Sequence, residues 1–155
     1  MSAFPRFIRL AEQGKNLLFC DEAIFTSKQI NLKVWYTKGF NQKIKKKKLH
    51  FGAIAVVAAT DLHGKVVAAL QRDKSIDAES FQEFLRLVAR RMRRRKCYMM
   101  VDNLGVHRTQ DVTKQAKRSN VELIFNGTYS SEYNPIERLW AWSKRRFSYL
   151  CIDEG

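Results

Sequence analysis

Several features that would define other classes of protein are scarce or missing in this chain of 155 residues. Its three cysteines, Cys20, Cys97 and Cys151, are an odd number without CxxC spacing, which argues against a disulfide framework and against a zinc site. No apolar run approaches the roughly 20 residues that a membrane helix needs. Residues 1–15 lack the continuous apolar core of a secretory signal. We therefore expect a soluble, intracellular protein without membrane contact.

Markers of a domain boundary are also scarce. The chain has only two prolines, no internal repeat and no low-complexity linker. Its length is that of one ordinary domain with a real core. We therefore predict a single domain over residues 1–155.

Acidic residues are few relative to basic ones. There are 15 Asp and Glu against 29 Lys and Arg, a net charge of +14, in a chain that is 45% hydrophobic. A disordered basic tail would be less apolar, and a compact enzyme of small metabolites would carry less charge. A polyanionic partner is the expectation. Two clusters carry much of the charge: Lys43 with Lys45–Lys48, and Arg90, Arg91 and Arg93–Arg95 with Lys96. Runs of this kind are often solvated faces, and the first also fits a nuclear-import signal.

Strand-like and helix-like patterns alternate along the chain. Apolar runs predict strands over Asn16–Cys20, Asn31–Tyr36, His50–Thr60, Val66–Leu70, Cys97–Val101 and Val121–Phe125. Residues Asp61–Lys65 have the composition of a turn. Helices are predicted after the N-cap Asp77, over Thr109–Arg118, and from near Pro135. This order indicates a mixed α/β domain, although periodicity alone allows several mixed folds.

Three carboxylates stand in recognisable local patterns. Asp21 follows the apolar run LLFC, which predicts a buried strand that ends at an acid and delivers it to a sheet edge. Asp102 belongs to VDNLGVH and Glu137 to YSSEYNPIERLW, and 34 residues lie between them.

These motifs, from about Asn16 to Phe147, resemble the catalytic domain of the Tc/mariner superfamily of DDE transposases. The resemblance implies an RNase H-like mixed sheet with helices on both faces. It implies that Asp21, Asp102 and Glu137 hold Mg²⁺ or Mn²⁺, as two ions, for cleavage of DNA and transfer of its 3′ end. The implied partners are double-stranded DNA, both transposon inverted repeats and target DNA, and a second copy in a full-length homodimer. The helix-turn-helix modules that precede this domain in full-length members are not expected in these residues.

Each acid also has a structural interpretation. Glu22 adjoins Asp21, and strand alternation sends only one of the two to the metal face; the family motif favours Asp21. Asp102 with Asn103 fits a turn after a strand. The sequence Asn134-Pro135-Ile136-Glu137 resembles a helix capping box, with Asn134 carrying the cap. Capping and metal binding are compatible at this position.

Further residues are candidates for DNA contact or support. His107 matches the histidine of the family's DN-x-x-x-H pattern and is expected to orient the Asp102 loop or to contact DNA. Lys144 lies two turns after Glu137, where it meets a DNA phosphate or is simply solvated. Trp140 and Trp142 are expected to pack rather than to stack on bases. The remaining DNA-binding candidates are Lys38, Lys45, Lys46 and Arg138.

Two departures from the family pattern stand before Glu137, where Thr128 and Ser131 replace prolines of the usual Pro-Tyr-Ser-Pro. The alternatives to a transposase are a domesticated DNA-binding protein that does not cleave, and a nuclease of the same fold such as a ribonuclease H or a Holliday-junction resolvase. The expected location is the nucleus in a eukaryote, or the cytoplasm and nucleoid in a bacterium.

Overall fold

A computed structural model describes residues 4–26, 52–126 and 134–151 of the chain. The helices are α1 (Phe4–Glu12), α2 (Ala78–Arg91), α3 (Gln110–Arg118) and α4 (Ile136–Leu150), with a short 3-10 helix over Gly105–Arg108. The strands are β1 (Asn16–Phe25), β2 (Ile54–Thr60), β3 (Val66–Asp73), β4 (Cys97–Val101) and β5 (Val121–Phe125). None of the helices in these described ranges is long and apolar enough to span a membrane.

The five strands form one mixed sheet in the order β3-β2-β1-β4-β5. Strands β1, β4 and β5 run parallel, while β2 is antiparallel to both β1 and β3. The chain enters β4 through α2 and passes from β4 to β5 through α3, which gives parallel strands the long crossovers that they need. β1 is therefore the central strand, with neighbours of both orientations.

Helices cover both faces of the sheet. On one face, α2 buries Phe81, Phe84, Leu85 and Val88 against the sheet in the largest apolar cluster. On the other face, Phe7 of α1 meets Phe19 with ring centroids 5.0 Å apart. Helix α4 packs Ile136 and Trp140 there, against the β1 and β2 residues Ala23 and Ala58. Successive residues of β1 point to opposite faces, so residues 17, 19, 21 and 23 share the face of α1 and α4.

Most predicted elements are confirmed with small shifts of boundary. Strands β4 and β5 have the predicted bounds, and β3 is the hairpin partner of β2. Asp61 Oδ1 accepts hydrogen bonds from the backbone N–H groups of His63 and Lys65, both at 2.9 Å, which holds the predicted turn. Asp77 caps α2 by accepting from Ser80 N at 2.8 Å. The two cysteines of the sheet, Cys20 and Cys97, are buried in the core.

Three details differ from the sequence predictions. Helix α1 was not predicted, although Phe7, Leu10 and Ala11 recur at helical spacing and Pro5 suits a first turn. Strand β1 continues to Phe25 instead of ending at Cys20, because its later residues pair with β2. Asp21 therefore lies inside the central strand and not at a sheet edge. The strand predicted over Asn31–Tyr36 lies outside the described residues.

Candidate active site

Asp21 in β1 and Asp102 just after β4 occupy corresponding positions when the register of these neighbouring parallel strands is extended. The register of β1 and β4 pairs Phe19 with Met100, so Asp102, directly after β4, continues the pairing toward Asp21. Two apolar segments of the same length thus deliver two carboxylates to the same height of the sheet. This arrangement is set by the register, because a shift by one residue would turn one side chain to the opposite face.

Asp21 faces α4, and Glu22 faces the other side of the sheet. The indole Nε1–H of Trp140 in α4 donates a hydrogen bond to Asp21 Oδ2 at 3.1 Å. Glu22 Oε1 instead lies 3.2 Å from His107 Nε2, on the side where His107 packs on Phe81 of α2. Of the two adjacent acids, Asp21 is the one on the face of the helix that carries Glu137.

Glu137 lies exposed in the first turn of α4. Asn134 Oδ1 accepts a hydrogen bond from Ile136 N at 3.2 Å, and Pro135 already has helical dihedral angles. Asn134 therefore acts as the N-cap, with Pro135 in the first position. The expectation that Asn134 carries the cap is confirmed. The exposed side of the same turn presents Glu137.

Electrostatics indicate that the three acids share one region. Burial raises the pKa of Asp21 above its usual value, and the charges of Glu137 and Asp102 raise it further, against the opposing effect of its hydrogen bonds. The pKa of the neighbouring Cys20 thiol is also raised, first by burial and then by Asp21, Glu22 and Asp102. This end of β1 is thus a site of concentrated negative charge in an otherwise basic protein.

His107 is a buried imidazole held between two carboxylates. Its Nε2 contacts Glu22 Oε1 at 3.2 Å, and its Nδ1 lies 2.8 Å from Asp102 Oδ1 and 3.4 Å from the Asp102 carbonyl oxygen. Burial alone lowers the pKa of His107, but the contacts with Asp102 and Glu22 outweigh it and raise the pKa to about 9. A protonated ring donates from both nitrogens, one to each side. His107 therefore fixes the start of the loop after β4.

The carboxylates of Asp21, Asp102 and Glu137 suit a hard divalent cation, but their oxygens do not converge on one point. Among the described residues, no three His, Cys, Asp or Glu side chains lie close enough together to hold a metal ion. Asp102 Oδ1 lies 2.8 Å from His107 Nδ1. Mg²⁺ and Mn²⁺ prefer oxygen ligands, so the chemistry of neighbouring carboxylates at this end of β1 fits such an ion.

The other predicted site residues fall into three groups. Arg138 and Lys144 are exposed on α4, where contact with DNA remains open to them. His107 is 2% exposed, so its burial leaves the role of orienting the Asp102 loop and not that of touching DNA. Lys38, Lys45 and Lys46 lie outside the described residues.

The two tryptophans of α4 differ from each other. Trp140 packs in the core as predicted, at 5% exposure, whereas Trp142 is 66% exposed, so the prediction that it packs is wrong. The helix turns by about 100° per residue, so two residues cannot share a narrow stripe when only two positions separate them. Leu150 is exposed at the last position of the helix.

Two supporting contacts were not predicted. The Trp140–Asp21 hydrogen bond has no signal in the sequence beyond the placement of an indole one turn after Glu137. The Glu22–His107 pair had a partial signal, since strand alternation turns Glu22 away from Asp21 and a buried acid needs a partner. Neither contact is local, because 119 and 85 positions separate the partners.

Comparisons with known proteins agree with this architecture. Residues 16–153 match the family model described as DDE superfamily endonuclease. The structure is similar to the Mos1 transposase paired-end complex with left transposon end, with a TM-score of 0.66 and 15% identity over 94% of this chain and 46% of that one. No curated protein sequence matches the chain.

Two further Mos1 structures show the same likeness. The Mos1 strand transfer complex has a TM-score of 0.67 and 17% identity, covering 93% of this chain and 45% of that one. The catalytic domain of Mos1 mariner transposase has a TM-score of 0.63 and 12% identity, covering 95% and 68%. This chain spans less than half the length of the transposase in the two DNA complexes.

The RNase H-like α/β fold predicted from the sequence is confirmed by these likenesses, and the family match confirms the predicted DDE family. At these identities the likeness to the solved structures concerns the fold, whereas the family match concerns the sequence and extends over most of the chain. The chain belongs to the family of DDE superfamily endonucleases.

Proposed function

We propose that this chain is the catalytic domain of a DNA transposase of the Tc/mariner type, and that Asp21, Asp102 and Glu137 are its catalytic carboxylates. The observation that carries the proposal is the level placement of Asp21 and Asp102 on β1 and β4, with Glu137 near enough to raise the pKa of Asp21. Carboxylates that lie close together repel one another unless a cation lies between them. A divalent ion would offset that repulsion.

The proposed ligands of Mg²⁺ or Mn²⁺ are carboxylate oxygens of these three acids, and two ions are expected. Such ions polarise a phosphodiester and lower the pKa of an attacking water. The protein's own groups supply the rest: Trp140 holds Asp21 at Oδ2, His107 holds the Asp102 segment, and the cap at Asn134 fixes the turn of Glu137. The neighbouring Mos1 structures include one described as a paired-end complex with Mn and one of the catalytic domain with Raltegravir and Mg.

The proposed reaction has two steps at one set of carboxylates. Water attacks a phosphodiester at the transposon end, forming a new P–O bond while the leaving 3′ oxygen takes a proton. The freed 3′ hydroxyl then attacks a phosphodiester of target DNA, so that one bond forms as one breaks. The proposed substrates are therefore inverted repeats and target DNA. The full-length protein is proposed to act as a homodimer, since two transposon ends must be joined.

The non-cleaving alternative rests on one observation. Asp102 is already paired with His107 at 2.8 Å, so this acid has a structural role that needs no metal. Direct measurement of metal binding separates the two functions.

The first experiment is therefore Mn²⁺ binding by calorimetry, comparing the wild-type chain with Asp102→Asn and with Asp111→Asn. Asp111 is an exposed acid of α3 and serves as a control for the loss of one charge. We expect Asp102→Asn to abolish binding and Asp111→Asn to preserve it. Equal binding by all three proteins would reject Asp102 as a ligand.

Cleavage is tested separately on DNA that carries the element's ends, in the presence of Mn²⁺. Any one amide substitution among Asp21, Asp102 and Glu137 should abolish cleavage and preserve non-specific DNA binding. Glu22→Gln distinguishes the two adjacent acids, since it should leave metal ligation intact. Cleavage retained by Asp102→Asn would refute the proposal, and joining of the 3′ end to target DNA separates a transposase from a simple nuclease.

A further inference from the structure

One end of the sheet carries a dense cluster of positive charge, and we call it the basic end. It comprises the turn between α2 and β4 together with the end of α3, namely Arg91, Arg93, Arg94, Arg95, Lys96 and Arg118. All six side chains are exposed. Hydrogen bonds join the two segments: Arg94 Nη2 donates to the Arg118 carbonyl at 3.3 Å, and Asn120 Nδ2 donates to the Arg94 carbonyl at 3.0 Å. The basic end is thus one connected surface and not a flexible run.

The backbone of this turn is unfavourable for the residues it holds. Arg93 N–H bonds to the Arg90 carbonyl at 3.0 Å and Arg94 N–H to the Ala89 carbonyl at 2.8 Å, the two bonds of a Schellman motif. Arg93 therefore occupies the position at which helices favour glycine, and Arg93 and Arg94 have φ angles of 50° and 55°. Left-handed conformations are costly for long side chains. Arginine at these two positions is therefore less favourable for stability than glycine would be.

Few acids neutralise the basic end. Glu122 contacts Lys96 at 3.1 Å and also pairs with Arg6. Asp61 is committed to the backbone of its own turn. The guanidinium groups of Arg91 and Arg93 have no acidic partner among the described residues. Their charges are available to a partner outside the chain.

The basic end lies at the opposite end of the sheet from the catalytic carboxylates. Lys96 precedes the five residues of β4 and Asp102 follows them, so six steps of extended chain set the two residues about 20 Å apart. Duplex DNA carries one charge per roughly 1.7 Å of axis. The phosphates reached by the basic end are therefore different from those at the carboxylates.

We propose that the basic end binds the phosphate backbone of duplex DNA, at a segment other than the one presented to the carboxylates. The choice of DNA as the polyanion rests on the proposed function, whereas the surface itself rests on charge and geometry. Such a contact carries no sequence information and holds a duplex in position by its backbone. The basic end thus gives the domain a second DNA contact, which does not require a metal ion.

The test compares Arg93→Gly with Lys74→Gly by fluorescence anisotropy, on a labelled duplex of arbitrary sequence, with EDTA present and over a range of salt concentrations. Lys74 is a matched control because it is also basic and left-handed, with φ 72°. It follows β3 at the end of the sheet that carries the carboxylates. Glycine suits both positions, so neither variant should unfold, and the thermal midpoint of Arg93→Gly should equal or exceed that of the wild type.

We expect Arg93→Gly to weaken binding by up to about eightfold at 0.1 M salt, and to reduce the slope of log K against log salt by about 0.9, the values for one lost phosphate contact. The double variant Arg93→Gly/Arg94→Gly should lose about twice that slope. Lys74→Gly should change binding less than Arg93→Gly. Unchanged binding by Arg93→Gly, or tighter binding of an RNA duplex than of the DNA duplex, would overturn the proposal.

The outcome is separable from that of the proposed function. Asp102→Asn, measured in the same assay, should bind DNA as the wild type does, because the basic end needs no metal. If the wild type binds through the basic end but never cleaves, the catalytic proposal fails and this one stands. If it cleaves while Arg93→Gly binds normally, the reverse holds.

Discussion

Trp140 of α4 donates its indole N–H to Asp21 Oδ2 in β1 across 3.1 Å. The contact joins the helix that carries Glu137 to the strand that carries the first aspartate. Trp140 is buried among Ala23, Ala58 and Ile136, so its ring cannot turn away without opening the packing between helix and sheet. The tryptophan thus links the position of one proposed ligand to that of another.

Removing this hydrogen bond while keeping an aromatic ring should weaken the fold. We expect Trp140→Phe to lower the free energy of unfolding by about 1–3 kcal/mol, from the lost hydrogen bond and the smaller ring. Trp142→Phe is the control, because Trp142 is 66% exposed in the same helix, and it should change stability by less than about 0.5 kcal/mol. Urea unfolding followed by circular dichroism measures both. Equal effects of the two substitutions would contradict the packing described.

The half-buried Asp21 should lower the stability of the metal-free protein. Burial and the charges of Glu137 and Asp102 raise the pKa of Asp21, so its ionised form is disfavoured in the folded state. A folded-state pKa above the unfolded value means that stability falls as pH rises through this range. Asp21→Asn should therefore raise the thermal midpoint in EDTA at neutral pH, while abolishing Mn²⁺ binding.

The exposed Asp111 provides the comparison for that substitution. It lies in the first turn of α3, where a negative charge is favourable. Asp111→Asn should leave the midpoint unchanged or lower it slightly. A lower thermal midpoint for Asp21→Asn than for Asp111→Asn would show that the ionised Asp21 side chain does not destabilise the folded protein.

His107 should make stability depend on pH between about 6.5 and 9. Its contacts with Asp102 and Glu22 raise its pKa from 6.5 to about 9 against the opposing effect of burial. Because the folded-state pKa is the higher one, the stabilisation is complete below 6.5 and is lost as pH rises through 9, by up to about 3 kcal/mol.

Urea unfolding in EDTA across this pH range measures the loss. His107→Gln should be less stable than the wild type at pH 6.5 and should show a flatter profile. His63→Gln, a substitution of an exposed histidine, should keep the wild-type profile. A wild-type profile that is flat over the whole range would rule out the ion pair of His107 with the two acids.

The roles of capping and of metal binding within Asn134–Glu137 can be separated. Asn134 Oδ1 caps α4 through Ile136 N, so Asn134→Ala should cost about 1 kcal/mol of stability. Glu137 is exposed and lies on the carboxylate side of the same turn. Glu137→Gln should change stability little and remove Mn²⁺ binding. Calorimetry and urea unfolding of both variants check this, and a reversed pattern would make Glu137 a capping residue only.

Local patterns were enough to identify most elements of the fold. The apolar run of β4, the apolar face of α2 and the Asp77 cap each involve residues only a few positions apart, so the interactions that form them lie within short segments. The bounds of β4 and β5 agree with prediction for that reason. Helix α1 was missed because its apolar face is short and is completed only by Phe19 of β1.

The family motifs identified Asp21, Asp102 and Glu137 as candidates, but they did not determine how these acids are held. The sequence by itself determined which acids form the site, the two apolar strands that precede Asp21 and Asp102, and the strong positive charge of the chain. Only the tertiary structure decided that Asp21 and not Glu22 faces α4, that His107 is buried between two acids, and that the basic end lies away from the carboxylates. The physical reason is that register and helix packing join residues about a hundred positions apart, and no local pattern encodes such contacts.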